Sequence, residues 1–358
     1  MSGQGWKTKV AVARQSEFGI AVSVTDLVTF TGESISKNIE TVESEFLDGI
    51  YGKKQIYHGF ESGAGEIRGE AVIDEIETDP IGWEHFILGT IGSAAFTLST
   101  NIYKPQESLP LLTVAVQKYH GNNAKVWEFR SAKVNTLEVS GAVGTAGGKV
   151  SWTASLVGEK VLRTGEAGIV NTTADFSNIT PANKPEPLLM SKMALKIGDT
   201  DDALTDSDRI AIEEFTLTIN NNLSDDTFAS ITASHTDGSL PIEHERNGRQ
   251  EVTLRIVRPR LYDMTFFDWF SRNTTLQALL EFSTVGGTYS HKIYLPYLKI
   301  AEDPSAEVGG PELLKEEINL VAVYNTSNLN ANMTLSDGST ITGQIAWEAK
   351  SKRTAVPS

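Results

Sequence analysis

The chain of 358 residues contains no cysteine. Disulfides, thiolate zinc sites and a cysteine nucleophile are thereby excluded together, and stability must come from packing and from partners. Positive charge is also scarce. Lys and Arg number 31 against 46 Asp and Glu, a formal net charge of -15. Such a chain is unsuited to gripping nucleic acid, because phosphate contacts need clustered cations. Long apolar runs are missing too. A long uncharged run, residues 86–103, is diluted by Gly89, Gly92, Ser93, Thr97, Ser99 and Asn101, which makes it a poor membrane span. The opening "MSGQGWKTKVAVARQSEF" has no basic segment followed by an apolar one, so it does not read as a secretory signal. A soluble protein that stays in the cytoplasm of the cell making it is expected, with no membrane partner.

Patterns that carry chemistry are equally thin. The six histidines (His58, His85, His120, His235, His244, His291) stand singly, with no pair at helical spacing for a metal. "GDTDDALTDSDR" (198–209) is rich in Asp, but taking Asp199 as first ligand puts Leu204 and Ile210 where a calcium loop needs Gly and Glu. It reads as a solvated acidic loop. "SHTDG" (234–238) gathers Ser, His and Asp in sequence, whereas a catalytic triad is assembled from separate segments. "GAVGTAGG" (141–148) joins two strands instead of opening a helix, so it is a hairpin loop and not a phosphate cradle. The sequons at Asn171 and Asn273 carry no weight without a secretory signal. Neither an enzyme nor a cofactor or metal is expected.

What the chain does have is strands: short alternating runs rich in Val, Ile, Thr and aromatics, bounded by Gly, Asn and Asp. In "KVNTLEVSGAVGTAGGKVSWTASLVG" (133–158), Val134, Leu137 and Val139 face Val150, Trp152, Ala154 and Leu156 across a glycine-rich turn, which predicts a β-hairpin. Two short helices are predicted. One has Asp79 as N-cap and Pro80 in the first turn, followed by Trp83, Phe86 and Ile87; the other has Asp263 as N-cap before Phe266, Phe267, Trp269 and Phe270.

These helices expose a repeat. "GAGEIRGEAVIDEIETD" (63–79) precedes the first and "RNGRQEVTLRIVRPRLYD" (246–263) the second, aligning Glu66 with Glu251 and "WEHF" (83–86) with "FDWF" (267–270). Upstream, "GESISKNIETVES" (32–44) falls opposite "EFTLTINNNLSDD" (214–226). Downstream, "LLTVAVQKY" and "AKVWEFRSAKV" correspond to "LQALLEFST" and "SHKIYLPYLKI", and "KVSWTASLVG" to "EEINLVAVYN". The stretch 165–193, with Pro181, Pro185 and Pro187, reads as a linker. Residues 1–28 and 328–358 lie outside both copies, the latter with a hairpin (332–347) turning at Asp337-Gly338. Such arms commonly reach a neighbouring subunit.

The run "TFTGESISKNIETVESEFLDGIYGKKQIYHGFESGAGEIRGEAVIDEIETDPIGWEHFILGTIGS" (29–93), with its Leu88-Gly89 pair, resembles the phage tail tube protein family of long-tailed, siphovirus-like bacteriophages. "RQSEFGIA" (14–21), "FRSAKVNTLEVSGAVGTAGGKVSWTASLVG" and "LTINNNL" are similar to further patterns of that family. The resemblance implies a mainly β fold: two tandem tail-tube-type β-sandwich or barrel domains, each flanked by one short α-helix, plus N- and C-terminal arms. The expected division is an arm 1–28, a first domain 29–164, a linker 165–193, a second domain 194–327 and a C-terminal hairpin and tail 328–358. It also implies a structural protein of the virion tail: subunits join into rings, and rings stack into a hollow tube that conducts DNA without binding it specifically. Tape measure, tail terminator and distal tail proteins are the implied partners. Two copies per chain favour a ring of three chains with pseudo-sixfold symmetry over a ring of six.

An acidic lumen would repel phosphate and keep friction low. The rival is a carbohydrate- or receptor-binding β-sandwich module of a virion. Against it, Trp83, Trp127, Trp152 and Trp269 sit in predicted strands or helices, where core packing explains them. The end of "EFTLTINNNLSDD" supplies the candidate contact residues between subunits or rings: Asn221, Asn222, Asp225 and Asp226.

Overall fold

The computed structural model describes residues 5–43, 56–74, 82–97, 99–120, 123–144, 148–179, 185–224, 241–259, 263–304, 315–324, 330–351 and 356–357. The first half contributes β1 (Lys9–Gln15), β2 (Asp26–Val28), β3 (Gly32–Glu33), β4 (Ser36–Glu43), β5 (Ile56–Glu70), β6 (Val72–Asp74), α1 (Glu84–Ile91), β7 (Gly92–Thr97), β8 (Thr100–Pro105), β9 (Leu111–His120), β10 (Asn123–Ala142), β11 (Ser151–Gly158) and β12 (Lys160–Arg163). After α2 (Asp175–Asn178) and β13 (Pro185–Pro187), the second half contributes β14 (Met193–Asp199), β15 (Glu214–Asn220), β16 (Glu251–Arg258), α3 (Thr265–Ser271), β17 (Leu276–Ser283), β18 (Ser290–Ile300), β19 (Glu316–Ala322) and β20 (Ala346–Lys350). The protein is mainly β, and its large sheets are antiparallel.

Ladder pairing runs β4–β5–β11–β10–β9–β1 in the first half. In the second half it runs β15–β16–β19–β18–β17–β14. The order is the same twice: β4, β5, β9, β10 and β11 match β15, β16, β17, β18 and β19 as the sequence repeat assigns, while β1, placed outside the repeat by sequence, holds the position that β14 holds in the second half. Gly32 and Glu33 lie opposite Arg68 and Ile67 as Glu214 and Phe215 lie opposite Val257 and Ile256, so "GESIS" and "EFTLT" correspond residue for residue. One register differs from expectation. Glu66 pairs with Ser155, and the residue in its place in the second half is Arg255, which pairs with Asn319; Glu251 lies four residues earlier. Glycine and Glu cues near a strand start set no register, because cross-strand packing does that.

The predicted hairpin is present, with Val139 opposite Trp152 and Leu137 opposite Ala154. α1 starts at Glu84 and is buried along its length, Trp83 just before it included. The proposed caps Asp79 and Pro80 lie outside the described residues. The N-cap of α3 is Met264 and not Asp263, which stands one residue earlier and accepts from the Thr265 N–H through Oδ1 at 3.0 Å. Gly89 lets α1 lie close on β10, since a Cβ there would stand 2.7 Å from Val134 Cγ2.

The long strand β10 serves two sheets because it bends at a bulge between Phe129 and Ala132. Ser131 takes a left-handed φ of 50° there. A buried polar cluster holds it: Gln15 Oε1 accepts from the Ser131 N–H at 3.0 Å, and Gln15 Nε2 donates to Ser131 Oγ at 2.8 Å. This draws the segment read as an N-terminal arm into the sheet, where β1 pairs with β9 and β2. At the other terminus β20 pairs with both β18 and β8 and so ties the halves together. The turn at Asp337-Gly338 is formed, and the Leu335 N–H donates to Ser339 O at 3.0 Å.

The core is continuous across the halves. Trp83 stacks on Trp152 of the first half at 6.2 Å and on His291 of the second at 5.2 Å, with Trp347 edge-on at 6.0 Å. Its indole N–H is satisfied by Val72 O at 2.9 Å. Burying an aromatic of this size with its polar atom paired contributes several kcal/mol. The stretch 165–179 is anchored by buried Glu128, whose Oε2 accepts from the N–H groups of Val170 and Asn171 at 2.8 and 2.7 Å.

Candidate functional site

The halves meet edge to edge. Residues 136–140 of β10 pair with β11 on one side, and residues 136–142 pair with all of β15 on the other, Thr136 opposite Asn220 and Ala142 opposite Glu214. The result is one sheet of eight strands, β4–β5–β11–β10–β15–β16–β19–β18, running through both halves. Strand alternation gives it two unlike faces. Ile67, Ala154, Leu137, Leu217, Leu254 and Leu320 point into the core.

The opposite face is mainly polar, with Val321 beside Thr253 an exception. Ladder registers set its residues in rows: Glu66, Ser155, Thr136, Asn220 and Glu251 in one, and Glu70, Ser151, Ser140, Thr216, Arg255 and Asn319 in another. Ser, Thr and Asn dominate the rows, and the carboxylates Glu66, Glu70, Glu138, Glu214, Glu251 and Glu317 outnumber the cations Arg68, Arg255 and Lys299. Arg255 is held within the face by Glu317 at 2.7 and 2.9 Å and lies 3.6 Å from Glu214. The pair reinforces both charges: Arg255 holds the Glu317 carboxyl below its usual range, and Glu317 raises the guanidinium. A phosphate chain facing these rows would meet hydroxyls and net negative charge, without a free basic cluster among the described residues.

At one end the β4–β5 hairpin carries Val42, Ile56, Tyr57 and Phe60, which are 42–55% exposed. Large apolar side chains gathered at one hairpin end mark a contact surface more than a solvated one.

The candidate contact residues separate. Asn221 is fully buried. Its Nδ2 donates to Thr90 O at 3.1 Å and Val134 O at 3.0 Å, while its Oδ1 accepts from Arg246 at 3.0 Å and Gln250 at 2.9 Å. Its amide is thus spent inside the chain, joining α1 and β10 of the first half to the second half. Asn222 turns the chain out of β15 with a φ of 49° and donates to Arg249 O at 2.7 Å. Asp225 and Asp226 lie outside the described residues, as does "SHTDG". The burial of Asn221 was not legible in sequence, where a run of three Asn looks like a loop. In the acidic stretch 198–209, Asp206 pairs with Lys196 at 2.8 Å and Asp208 accepts from the Thr205 N–H at 2.6 Å. No group of metal-binding residues occurs among the described residues.

The profile of the family described as phage tail tube protein matches residues 5–322. The chain belongs to the phage tail tube protein family. Membership makes it a structural component of a phage tail, and the resemblance seen in residues 29–93 extends over nearly the whole chain. No curated protein matches it. Among solved structures it is similar to the sheath/tube terminator of an extracellular contractile injection system, PVC, in the extended state (12% identity, TM-score 0.29, covering 45% of this chain and 96% of that one). It is also similar to the PVC sheath-tube complex (13%, 0.29, 45% and 89%) and to the tube terminating cap of the anti-feeding prophage AFP (14%, 0.29, 46% and 91%). Likenesses of that size carry no weight beside the family match.

Proposed function

We propose that this tail tube protein polymerises into rings that stack into a hollow tube, with the polar face of the eight-strand sheet turned to the lumen through which DNA passes. The observation that carries the proposal is the sheet itself, whose one face is apolar and buried while the other is hydroxyl-rich and net acidic across both halves. A wall facing DNA must be wettable and must not hold phosphate, and that face meets both conditions. The doubled pairing order favours a ring of three chains with pseudo-sixfold symmetry, with domains near 29–164 and 194–327 as the two repeats. Asp225 and Asp226 are the proposed contacts to a neighbouring chain or the next ring, and tail terminator, tape measure and distal tail proteins the proposed partners at the ends.

Electron microscopy of the purified protein tests this. Rings or tubes with threefold symmetry are expected; a protein that stays a single chain at high concentration overturns the proposal. Replacing Thr216 and Thr218 by Lys should leave tubes intact but make them retain added single-stranded DNA at low salt. Tubes that ignore the new charges would place this face outside the lumen.

A further inference from the structure

The chain holds one Asn-Gly pair, Asn247-Gly248, in the link between β15 and β16. We propose that this pair is a site of spontaneous backbone modification: the Gly248 nitrogen attacks Cγ of Asn247, ammonia leaves, and water opens the resulting succinimide to aspartate or isoaspartate. The step needs no oxidant and no co-reactant other than water. A side chain on the following residue hinders the attack, and glycine has none.

Neighbouring bonds hold the link on both sides and leave its corner free. Leu223 bridges to Arg246, the Asn247 N–H donates to Asn222 O at 2.8 Å, and Asn222 Nδ2 donates to Arg249 O at 2.7 Å. Asn247 and Gly248 themselves are exposed. Among the described residues neither the Asn247 side chain nor the Gly248 N–H has a hydrogen-bond partner, so electrophile and nucleophile are both available. Arg246 and Arg249 flank the pair in sequence, and positive charge eases loss of the amide proton. Asp337-Gly338 shows that the dipeptide alone does not decide. There the Gly338 N–H donates to Leu335 O at 2.9 Å, and Asp337 Oδ1 accepts from the Ser339 N–H at 2.8 Å. Ser339 and then Lys104 hold the Asp337 carboxyl below its ordinary range, and an ionised carboxylate is a poor target for a nitrogen nucleophile. The asparagines at the end of β15 are engaged as well, Asn221 within the chain and Asn222 on Arg249.

The link matters because the residues beside it clamp the two halves together. Arg246 holds Asn221 Oδ1 at 3.0 Å and Gln106 O at 3.2 Å, while Gln250 holds Asn221 Oδ1 at 2.9 Å and Thr90 O at 3.3 Å. Gln106 and Thr90 belong to the first half. Isoaspartate runs the main chain through the former side chain and so lengthens it between Arg246 and Gln250. The two grips on Asn221 are then pushed apart. A tail protein in a released virion is not replaced, so the change accumulates with age.

Incubating the purified protein at mildly alkaline pH, with mass spectrometry of proteolytic fragments, tests the proposal. Asn247 should convert to aspartate and isoaspartate before Asn220, Asn221 or Asn222 does, and faster as pH rises; Asn247→Gln should abolish the conversion. Gly248→Ala should slow it without unfolding the chain, because a Cβ there meets nothing closer than Asn222 Cβ at 3.4 Å. Asp337-Gly338 should stay intact in the folded chain and isomerise once urea unfolds it. Aged protein, separated by its added negative charge, should unfold at a lower urea midpoint than freshly made Asn247→Asp, which carries the charge on an ordinary backbone. An Asn247 that converts in urea but not in the folded chain, or conversion led by one of the other three asparagines, would overturn the site. Equal midpoints would overturn the effect on the clamp and leave the site standing.

Discussion

Replacing Asn221 by Ala separates an internal role from a contact role, because each makes an opposite forecast. The side chain bonds to four partners inside the chain: two carbonyls, an Arg and a Gln. Thr90 O keeps Gln250 as a donor at 3.3 Å. Val134 O loses its side-chain donor in a buried setting, which costs about 1–3 kcal/mol. Arg246, already half-buried with its charge disfavoured by desolvation, retains Gln106 O and Glu107 O at 3.2 and 3.3 Å but loses Asn221 Oδ1. A hydrogen bond to a charged group is worth about 1.5–3 kcal/mol. Allowing for water that reaches Arg246, the net loss should be about 3 kcal/mol.

Equilibrium urea unfolding, run where sedimentation shows single chains, would register that loss as a lower midpoint with little change of slope. Asn221→Asp should cost at least as much, since a carboxylate would face two carbonyl oxygens. A change under about 0.5 kcal/mol combined with impaired polymerisation would refute the internal role and restore Asn221 as a surface contact.

Other outcomes follow from the core and the anchors. Trp83→Ala should cost about 3–5 kcal/mol and loosen both halves together, so near-ultraviolet dichroism should lose its signal in one transition; two separate transitions would contradict a shared core. Glu128→Ala removes the acceptor for Val170, Asn171 and Arg130, and tryptic cleavage after Arg163 should accelerate while the sheet persists. Acid should weaken the fold through Glu317, Asp263 and Asp337, whose carboxyls sit below the ordinary range because Arg255, the Thr265 N–H and Ser339 respectively bind the ionised forms. Their stabilisation is complete above the unfolded carboxylate range, about pH 4, and is lost as pH falls through the lower folded values. Buried Glu316 works the other way, its carboxyl raised by desolvation, so Glu317→Gln should flatten the acid limb of a stability profile and Glu316→Gln should steepen it.

Much of the fold was legible because alternation is a local signal. The hairpin at 133–158, the two helices and the correspondence of "GESIS" with "EFTLT" needed only neighbours along the chain. The register of Glu66 was not legible, since strands displaced by two or four residues keep the same alternation and differ only in what packs across them. Residues 9–28 and 346–350 looked like arms because their partners, β9, β18 and β8, lie far away in sequence.

Of the candidate site, sequence supplied the strands, the acidic balance and the likeness to tail tube proteins. It did not reveal that β10 bends at Ser131, nor that β10 thereby reaches β15. That contact spans some eighty residues of chain and is decided by tertiary packing alone. With it came the mainly polar face and the burial of Asn221. The sequence determined which residues form strands and that the set occurs twice, because period and repeat are written along the chain; tertiary structure decided how the two sets join, because edge pairing depends on which strands are left without partners once each core has closed.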